Sequence, residues 1–109
     1  MEITVKNNCR IITPLSPVLS ERESLRLEEE LYCSEKERTA LDLSYVNDCT
    51  IEFIDEIRKH KGISLFNINS DIFAILTSMN LDKILKLFVS EMDFLSDKHQ
   101  LLNRKFAVL

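Results

Sequence analysis

The sequence predicts a single α/β domain, because short β-type runs alternate along the chain with helical segments of about 10 to 15 residues. This alternation is typical of βα units that surround a largely parallel sheet. The 109 residues amount to one domain and can close a hydrophobic core without disulfides. Hydrophobic residues make up 45% of the chain and charged residues 29%, which indicates a folded protein rather than a disordered one.

The first part of the chain predicts a hairpin followed by a helix. Residues 3–5 and 9–15 are β-type runs separated by a Lys-Asn-Asn turn, and asparagine tolerates the left-handed backbone angles of a tight turn. Residues 20–23 (Ser-Glu-Arg-Glu) then form a capping box, in which the glutamate reaches back to the serine. We expect a charged amphipathic helix from there to about Cys33.

The middle of the chain predicts a strand over residues 39–44 and a helix over residues 48–61. The single glycine, Gly62, follows at the position where a helix C-terminus favours a left-handed residue. The helix is expected to pack through three isoleucines on one stripe, Ile51, Ile54 and Ile57.

The last part predicts two more strands, over residues 63–68 and 85–89, each followed by a helix. Ser70 is the expected cap of the third helix and Asn80 its end, and residues 90–93 (Ser-Glu-Met-Asp) are a capping signature for the fourth. The apolar stripe expected for the third helix is Ile72, Ile75, Leu76 and Met79. That of the fourth helix is Met92, Leu95, Leu102 and Phe106.

Composition excludes several classes of function. A formal net charge of −4 argues against a nucleic-acid binder that uses a basic face. One glycine is too few for a Walker loop or a dinucleotide fingerprint. Three cysteines without a CxxC pair (Cys9, Cys33 and Cys49) predict neither a disulfide framework nor a zinc knuckle, and they fit a reducing compartment. With no secretory signal and no apolar run near the ~20 residues of a membrane span, we expect a cytoplasmic protein without direct membrane insertion.

Three segments carry a resemblance to a known family. Residues 40–46 (Ala-Leu-Asp-Leu-Ser-Tyr-Val) are similar to a central strand, and residues 66–70 (Phe-Asn-Ile-Asn-Ser) to a strand-to-helix turn commonly written Val-Asn-Pro-Ser. Residues 79–90 are similar to the segment between a third helix and a last strand. In this order and at these separations they resemble the STAS domain, the fold of bacterial anti-sigma factor antagonists and of the cytoplasmic tails of sulfate transporters. The resemblance implies a single STAS-like domain over residues 1–109, with a four- to five-stranded mixed sheet and about four helices.

The chain departs from the family at the site of the family's phosphorylation switch. Members that act as switches carry Asp-Ser-Ser/Thr-Gly after the central strand, with the first serine as acceptor. Aligned on residues 41–46, this chain has Ile51 at the acceptor position, Thr50 at the aspartate and Phe53 at the glycine. Isoleucine has no hydroxyl, so the usual switch cannot operate there. Glu52 is either a fixed negative charge near a helix N-terminus or part of a loop that has lost the switch.

The resemblance places the partner-binding residues in the segment after the central strand: Asn47, Asp48, Thr50, Glu52 and Phe53. Thr50 is either the N-cap of a helix, which we favour, or a displaced phosphorylation site. Cys49 is either a thiol activated by a helix N-terminus or, as we favour, a buried small apolar residue. Phe53 either points outward as an aromatic anchor or packs inward, and the inward position is favoured slightly.

Nothing in the sequence predicts catalysis, a metal site or a cofactor. His60 and His99 have neither a nucleophile elbow nor a set of metal ligands around them, and His99 is expected to pack on the last helix. The carboxylate runs at residues 28–30 and 55–56 are expected to be solvated faces. We therefore expect a protein that is not an enzyme.

The resemblance implies a regulatory module for protein–protein interaction in bacterial signalling. The implied partner is an anti-sigma factor with a kinase fold, whose capture frees a sigma factor for transcription. Without the acceptor serine, binding is expected to be constitutive or set by abundance. The alternatives are a small cytoplasmic STAS subunit of a membrane transport ATPase assembly, and a small-anion binder at the helix N-termini. A homodimer is a further possibility that the sequence does not decide. The apolar residues 106–109 are expected to pack on the domain or on another chain.

Overall fold

A mixed five-stranded sheet forms the centre of the computed structural model, which describes residues 1–32, 38–60 and 62–96. The strands in chain order are β1 (Glu2–Lys6), β2 (Cys9–Thr13), β3 (Val18–Leu19), β4 (Arg38–Asp42), β5 (Asp48–Cys49), β6 (Ser64–Phe66) and β7 (Lys86–Leu87). The sheet has the order β1-β2-β4-β6-β7, in which β1 and β2 are antiparallel and the other neighbours are parallel. The predicted mixed α/β architecture is thereby confirmed.

The hairpin at the start of the chain forms as the sequence predicts. Lys6 of β1 pairs with Cys9 of β2, so that only Asn7 and Asn8 form the turn. Both asparagines have positive φ angles, 51° and 62°, as a type I′ turn requires. This turn fixes the register of β1 along its whole length.

In the described part of the chain, four α-helices cover the sheet: α1 (Glu21–Tyr32), α2 (Ile51–Lys59), α3 (Ser70–Ser78) and α4 (Glu91–Ser96). One face of the sheet packs against the first three helices, through buried side chains such as Leu27, Ile54 and Leu76. The other face packs against α4, where Phe94 stacks on Phe66 with ring centroids 5.7 Å apart. Among the described residues, no helix is both long and apolar enough to cross a membrane.

The capping box of α1 is confirmed, whereas the predicted start of α2 is wrong. The backbone N–H of Ser20 donates to a carboxylate oxygen of Glu23 at 2.9 Å. Helix α2 begins at Ile51 rather than at residue 48, because Asp48 and Cys49 are extended and pair in parallel with β3. The backbone N–H of Thr50 continues this pairing by donating to the carbonyl of Leu19 at 2.8 Å.

Two predicted helix-end residues are also wrong. Gly62 does not adopt a left-handed conformation; the backbone N–H of His60 instead closes α2 on the carbonyl of Ile57 at 3.0 Å, which needs no left-handed residue. The cap of α3 is Asn69 and not Ser70, since the side chain of Asn69 accepts from the N–H of Ile72.

The fourth helix turns a different face inward from the predicted one. Phe94 is fully buried, whereas Met92 is 75% exposed. Phe94 holds this orientation because it contacts Phe66 and Phe88 and lies 4.5 Å below the guanidinium of Arg38. The other predicted stripe residues, together with His99 and residues 103–109, lie outside the described residues, except for Leu95, which packs at the edge of this cluster.

Candidate partner-binding site at the start of helix α2

The site lies where the parallel strands β4 and β6 end side by side. Asp42, the last residue of β4, is in register with Phe66, the last residue of β6. The segment after β4, residues 43–50, therefore lies next to the segment after β6, residues 67–69. We call these the β4–α2 loop and the β6–α3 loop.

One asparagine joins the two loops. The side-chain amide of Asn69 donates to the carbonyls of Val46 at 3.0 Å and Asn47 at 3.3 Å. Its side-chain oxygen accepts from the N–H of Ile72 at 2.8 Å and so caps α3. Because the same side chain fixes both loops, the β4–α2 loop is held against the N-terminus of α3.

A second tie forms around Asp42. One oxygen of its carboxylate accepts from the side-chain amide of Asn67 at 2.9 Å and from the N–H of Ser44 at 3.1 Å. Asn67 has a positive φ of 55°, a conformation that asparagine adopts more readily than most residues. The β4–α2 loop is thus anchored near its start by Asp42 and in its middle by Asn69.

Thr50 occupies the N-cap position of α2. Its backbone is extended, and its hydroxyl oxygen accepts from the N–H of Phe53 at 3.4 Å. This contact agrees with the favoured prediction for Thr50. The neighbouring Asp48 is exposed and accepts from the N–H of Cys49 at 2.8 Å.

Cys49 does not have the environment of an activated thiol. Burial, together with the negative charge of Asp48, raises the pKa of the Cys49 thiol to about 11. A thiol with that pKa is protonated at neutral pH and is a poor nucleophile. This environment argues against the redox alternative, and the half-buried position of Cys49 agrees with the packing role favoured from the sequence.

Phe53 packs inward and cannot serve as an aromatic anchor for a partner. Its side chain is fully buried in the core with Ile54 and Ile57. The exposed residues at the same end of α2 are Glu52 and Ile51, and the side chain of Ile51 is 68% exposed. The large apolar residue that α2 offers to a partner is thus Ile51, although the sequence pattern predicts it as core.

Two further exposed apolar side chains belong to the segments that lead into α2 or pair with them. Tyr45 of the β4–α2 loop is 59% exposed, and Val18 of β3, which pairs with Asp48, is 47% exposed. We call these three side chains the docking patch. Every charged residue between positions 39 and 57 is acidic. The docking patch therefore combines exposed apolar side chains with a segment whose charges are all negative, and this combination is complementary to a basic surface with apolar side chains.

The prediction of solvated carboxylates fails for Glu56. This residue is 5% exposed, and its Oε2 lies 3.7 Å from Nε2 of His60 and 3.7 Å from Nζ of Lys59. It is buried because it lies on the same side of α2 as the core residues Phe53, Ile54 and Ile57. In the part of the chain that the structure describes, no group of three His, Cys, Asp or Glu side chains could hold a metal ion.

A comparison with solved structures supports the architecture, whereas the comparisons of sequence found no match. No family model matches the chain, and no curated protein matches it. A crystal structure from Thermotoga maritima, provisionally described as an anti-sigma factor antagonist, matches with a TM-score of 0.74 at 14% identity. The match covers 91% of this chain and 93% of that one. The chain therefore shares the fold of that structure, which agrees with the fold implied by the resemblance of its sequence.

Proposed function

We propose that the chain is a non-enzymatic regulatory module that binds a protein partner through the docking patch. The observation that carries the proposal is the exposure of Ile51, at 68%, in the first turn of α2. The resemblance of residues 41–46 to the central strand of the STAS family supports this choice, because it brings Ile51 to the position of the family's acceptor serine. Burial of an exposed branched apolar side chain under a partner stabilises the complex, by about 1.5–3 kcal/mol if burial is complete.

The loop around the docking patch is ordered before any partner arrives. Asn69 and Asp42 hold the β4–α2 loop through their hydrogen bonds to its backbone. A loop that is already fixed loses little conformational entropy on binding, which leaves more of the contact energy as affinity. This property suits a module whose task is recognition.

We further propose that binding is not controlled by the usual serine switch. Ile51 carries no hydroxyl, and the oxygen of Thr50 already caps the N–H of Phe53. Glu52 supplies a permanent negative charge in the first turn of α2, where the helix dipole favours one. Thr50, the phosphorylation site considered from the sequence, serves in this proposal as a cap, and binding is constitutive.

The proposed partner is an anti-sigma factor with a kinase fold. The description of the Thermotoga maritima neighbour and the complementarity of an acidic, apolar surface to a basic one support this choice. When the chain binds this anti-sigma factor, it competes with the sigma factor for the same protein. More sigma factor is then free for transcription.

A capture experiment with matched variants tests the proposal. The tagged native chain, Ile51→Asp and Leu25→Asp are each used on extract from the source cells, and bound proteins are identified by mass spectrometry. Leu25 is a control because its side chain is 58% exposed on α1 and does not belong to the docking patch. We expect an anti-sigma factor to be retained by the native chain and Leu25→Asp and lost by Ile51→Asp. A transport ATPase with the same dependence on Ile51 would instead support the transport-subunit alternative, and a partner insensitive to Ile51 would contradict the docking patch.

A further inference from the structure

The outer edge of the sheet at β1 has the properties of a strand-pairing surface. All five residues of β1 are exposed, and Ile3 and Val5 are 39% and 61% exposed. The strand at the opposite edge, β7, has only two residues. Proteins usually blunt sheet edges with short strands, prolines or inward-pointing charges, and β1 has a proline-free β-branched centre of Ile, Thr and Val.

The register of the hairpin fixes which backbone groups face outward. Lys6 and Cys9 close the two-residue turn and form a hydrogen-bonded pair, and such pairs alternate along an antiparallel ladder. Thr4 and Glu2 are therefore the next residues whose N–H and C=O groups face β2. The N–H and C=O groups of Ile3 and Val5 face away from the sheet.

The sequence of β1 is complementary to itself in one antiparallel register. When Thr4 lies opposite Thr4 of a second copy, Ile3 lies opposite Val5 and Glu2 lies opposite Lys6. The outward groups of Ile3 and Val5 then form hydrogen-bonded pairs with those of the second copy, and two Glu–Lys pairs flank the two-fold axis. Registers shifted by two residues keep the same hydrogen-bond geometry but shorten the pairing and lose these charge pairs.

We infer that two copies of the chain associate through antiparallel β1–β1 pairing, which joins their sheets into one ten-stranded sheet. The interface is isologous, as in most two-fold dimers. Lys6 now lies 3.3 Å from Glu91 at the surface, in a pair whose side chains are 49% and 39% exposed. Such exposed pairs contribute little, so Lys6 is free to turn toward Glu2 of the second copy. The association does not depend on the proposed partner, because it uses the backbone of β1 and none of the three side chains of the docking patch.

Sedimentation equilibrium at low salt, over about 10 μM to 1 mM, tests the dimer, since small interfaces are typically transient. We expect the average mass of the native chain to rise from 12.7 kDa toward twice that value. Glu2→Lys and Lys6→Glu each place like charges opposite each other, and each is expected to weaken association about tenfold. The double variant, with both changes, restores opposite charges and is expected to associate like the native chain.

The two single variants shift the net charge in opposite directions, so a general charge effect cannot weaken both. Circular dichroism checks that each variant is folded. An unchanged mass of 12.7 kDa for the native chain over the whole range would overturn the inference. Native-like association of either single variant would also overturn it.

A cross-link locates the two-fold axis independently. In the inferred register Thr4 faces its own copy in a non-hydrogen-bonded pair, where Cα atoms are about 4.5 Å apart and a disulfide fits. Thr4→Cys is therefore expected to form a covalent dimer under mild oxidation. Val5→Cys is the matched control, because Val5 faces Ile3, and the native chain gives the background from its own cysteines. Equal cross-linking of the two variants would contradict the register and with it the dimer.

Discussion

Replacement of Asn69 should separate the role of the loop anchor from that of the helix cap. The side chain of Asn69 caps α3 through its oxygen and holds the β4–α2 loop through its amide. Loss of an N-cap costs about 1 kcal/mol, and each of the two amide hydrogen bonds contributes about 0.5–1.5 kcal/mol. Asn69→Ala is therefore expected to lower the free energy of unfolding by about 2–4 kcal/mol.

Asn69→Asp is the informative comparison, because the carboxylate keeps the cap oxygen and removes both amide donors. We expect a smaller loss, about 1–3 kcal/mol, together with faster amide hydrogen exchange in the β4–α2 loop. Ser70→Ala is the matched control. The sequence predicts Ser70 as the cap, but the structure assigns that position to Asn69, so the change should stay within about 0.5 kcal/mol.

Urea unfolding measures these differences. With a slope of about 2 kcal/mol per molar urea, the middle of the usual range for small proteins, Asn69→Ala should lower the midpoint by roughly 1–2 M. The reasoning is refuted if Asn69→Ala and Ser70→Ala unfold at the same midpoint. It is also refuted if Asn69→Asp leaves amide hydrogen exchange in the β4–α2 loop unchanged, because the side-chain amide of Asn69 would then not be holding that loop.

Three more predictions concern residues of the core, a helix cap and a thiol. Phe53→Ala is expected to cost about 3–5 kcal/mol in urea unfolding because it empties a buried site, whereas Ile51→Ala should stay within about 0.5 kcal/mol. Similar losses for both would contradict the inward and outward positions of the two side chains. Hydrogen bonds from Ser20 lower the pKa of Glu23 from 4.5 to about 2, so its contribution to stability is present above pH 4.5 and is lost as the pH falls toward 2. The urea midpoint of Glu23→Gln should vary less over that range than that of the native chain, and an identical pH profile would be evidence against the cap. Because the pKa of Cys49 is raised to about 11, alkylation by iodoacetamide at pH 8, followed by mass spectrometry, should be much slower at Cys49 in the folded chain than in urea. Equal rates would argue against the buried thiol.

Local signals in the sequence predict most of the elements, because those signals act over a few residues. The Asn-Asn turn, the capping box and the end of α3 near Asn80 all depend on backbone preferences of the residues themselves, and the structure has each of them. The pairing of Asp48 and Cys49 with β3 is different, since it joins segments about 30 residues apart in sequence. Asp48 is a good N-cap residue and therefore predicts a helix start. Its pairing with β3 instead keeps it extended, and the helix begins at Ile51.

The choice of Asn69 over Ser70 as the cap of α3 also depends on contacts between segments that are distant in sequence. Both residue types are good N-caps, so propensity alone does not separate them. Asn69 is selected because only its amide also reaches the carbonyls of Val46 and Asn47, which a serine hydroxyl at position 70 does not do. The sequence thus predicts that α3 is capped, while the identity of the cap is decided by the neighbouring loop.

The exposure of Ile51 shows why the site itself was harder to predict than the fold. Each residue turns an α-helix by about 100°, so isoleucines spaced by three residues drift apart rather than form a straight stripe. The buried side chains of α2, which are Phe53, Ile54, Glu56 and Ile57, occupy one arc of the helix. Ile51 lies about 140° from the centre of that arc, on the side of the solvent.

The exposed position of Ile51 also means that the fold does not depend on its side chain. A side chain outside the buried arc contributes little to the stability of the domain, so the core does not require isoleucine at position 51. Thr50 caps the helix without it, and Asn69 and Asp42 hold the loop without it. Ile51, in the first turn of α2 and directly after the anchored loop, is therefore free to serve the partner contact that we propose, and substitution there tests that contact without disturbing the fold.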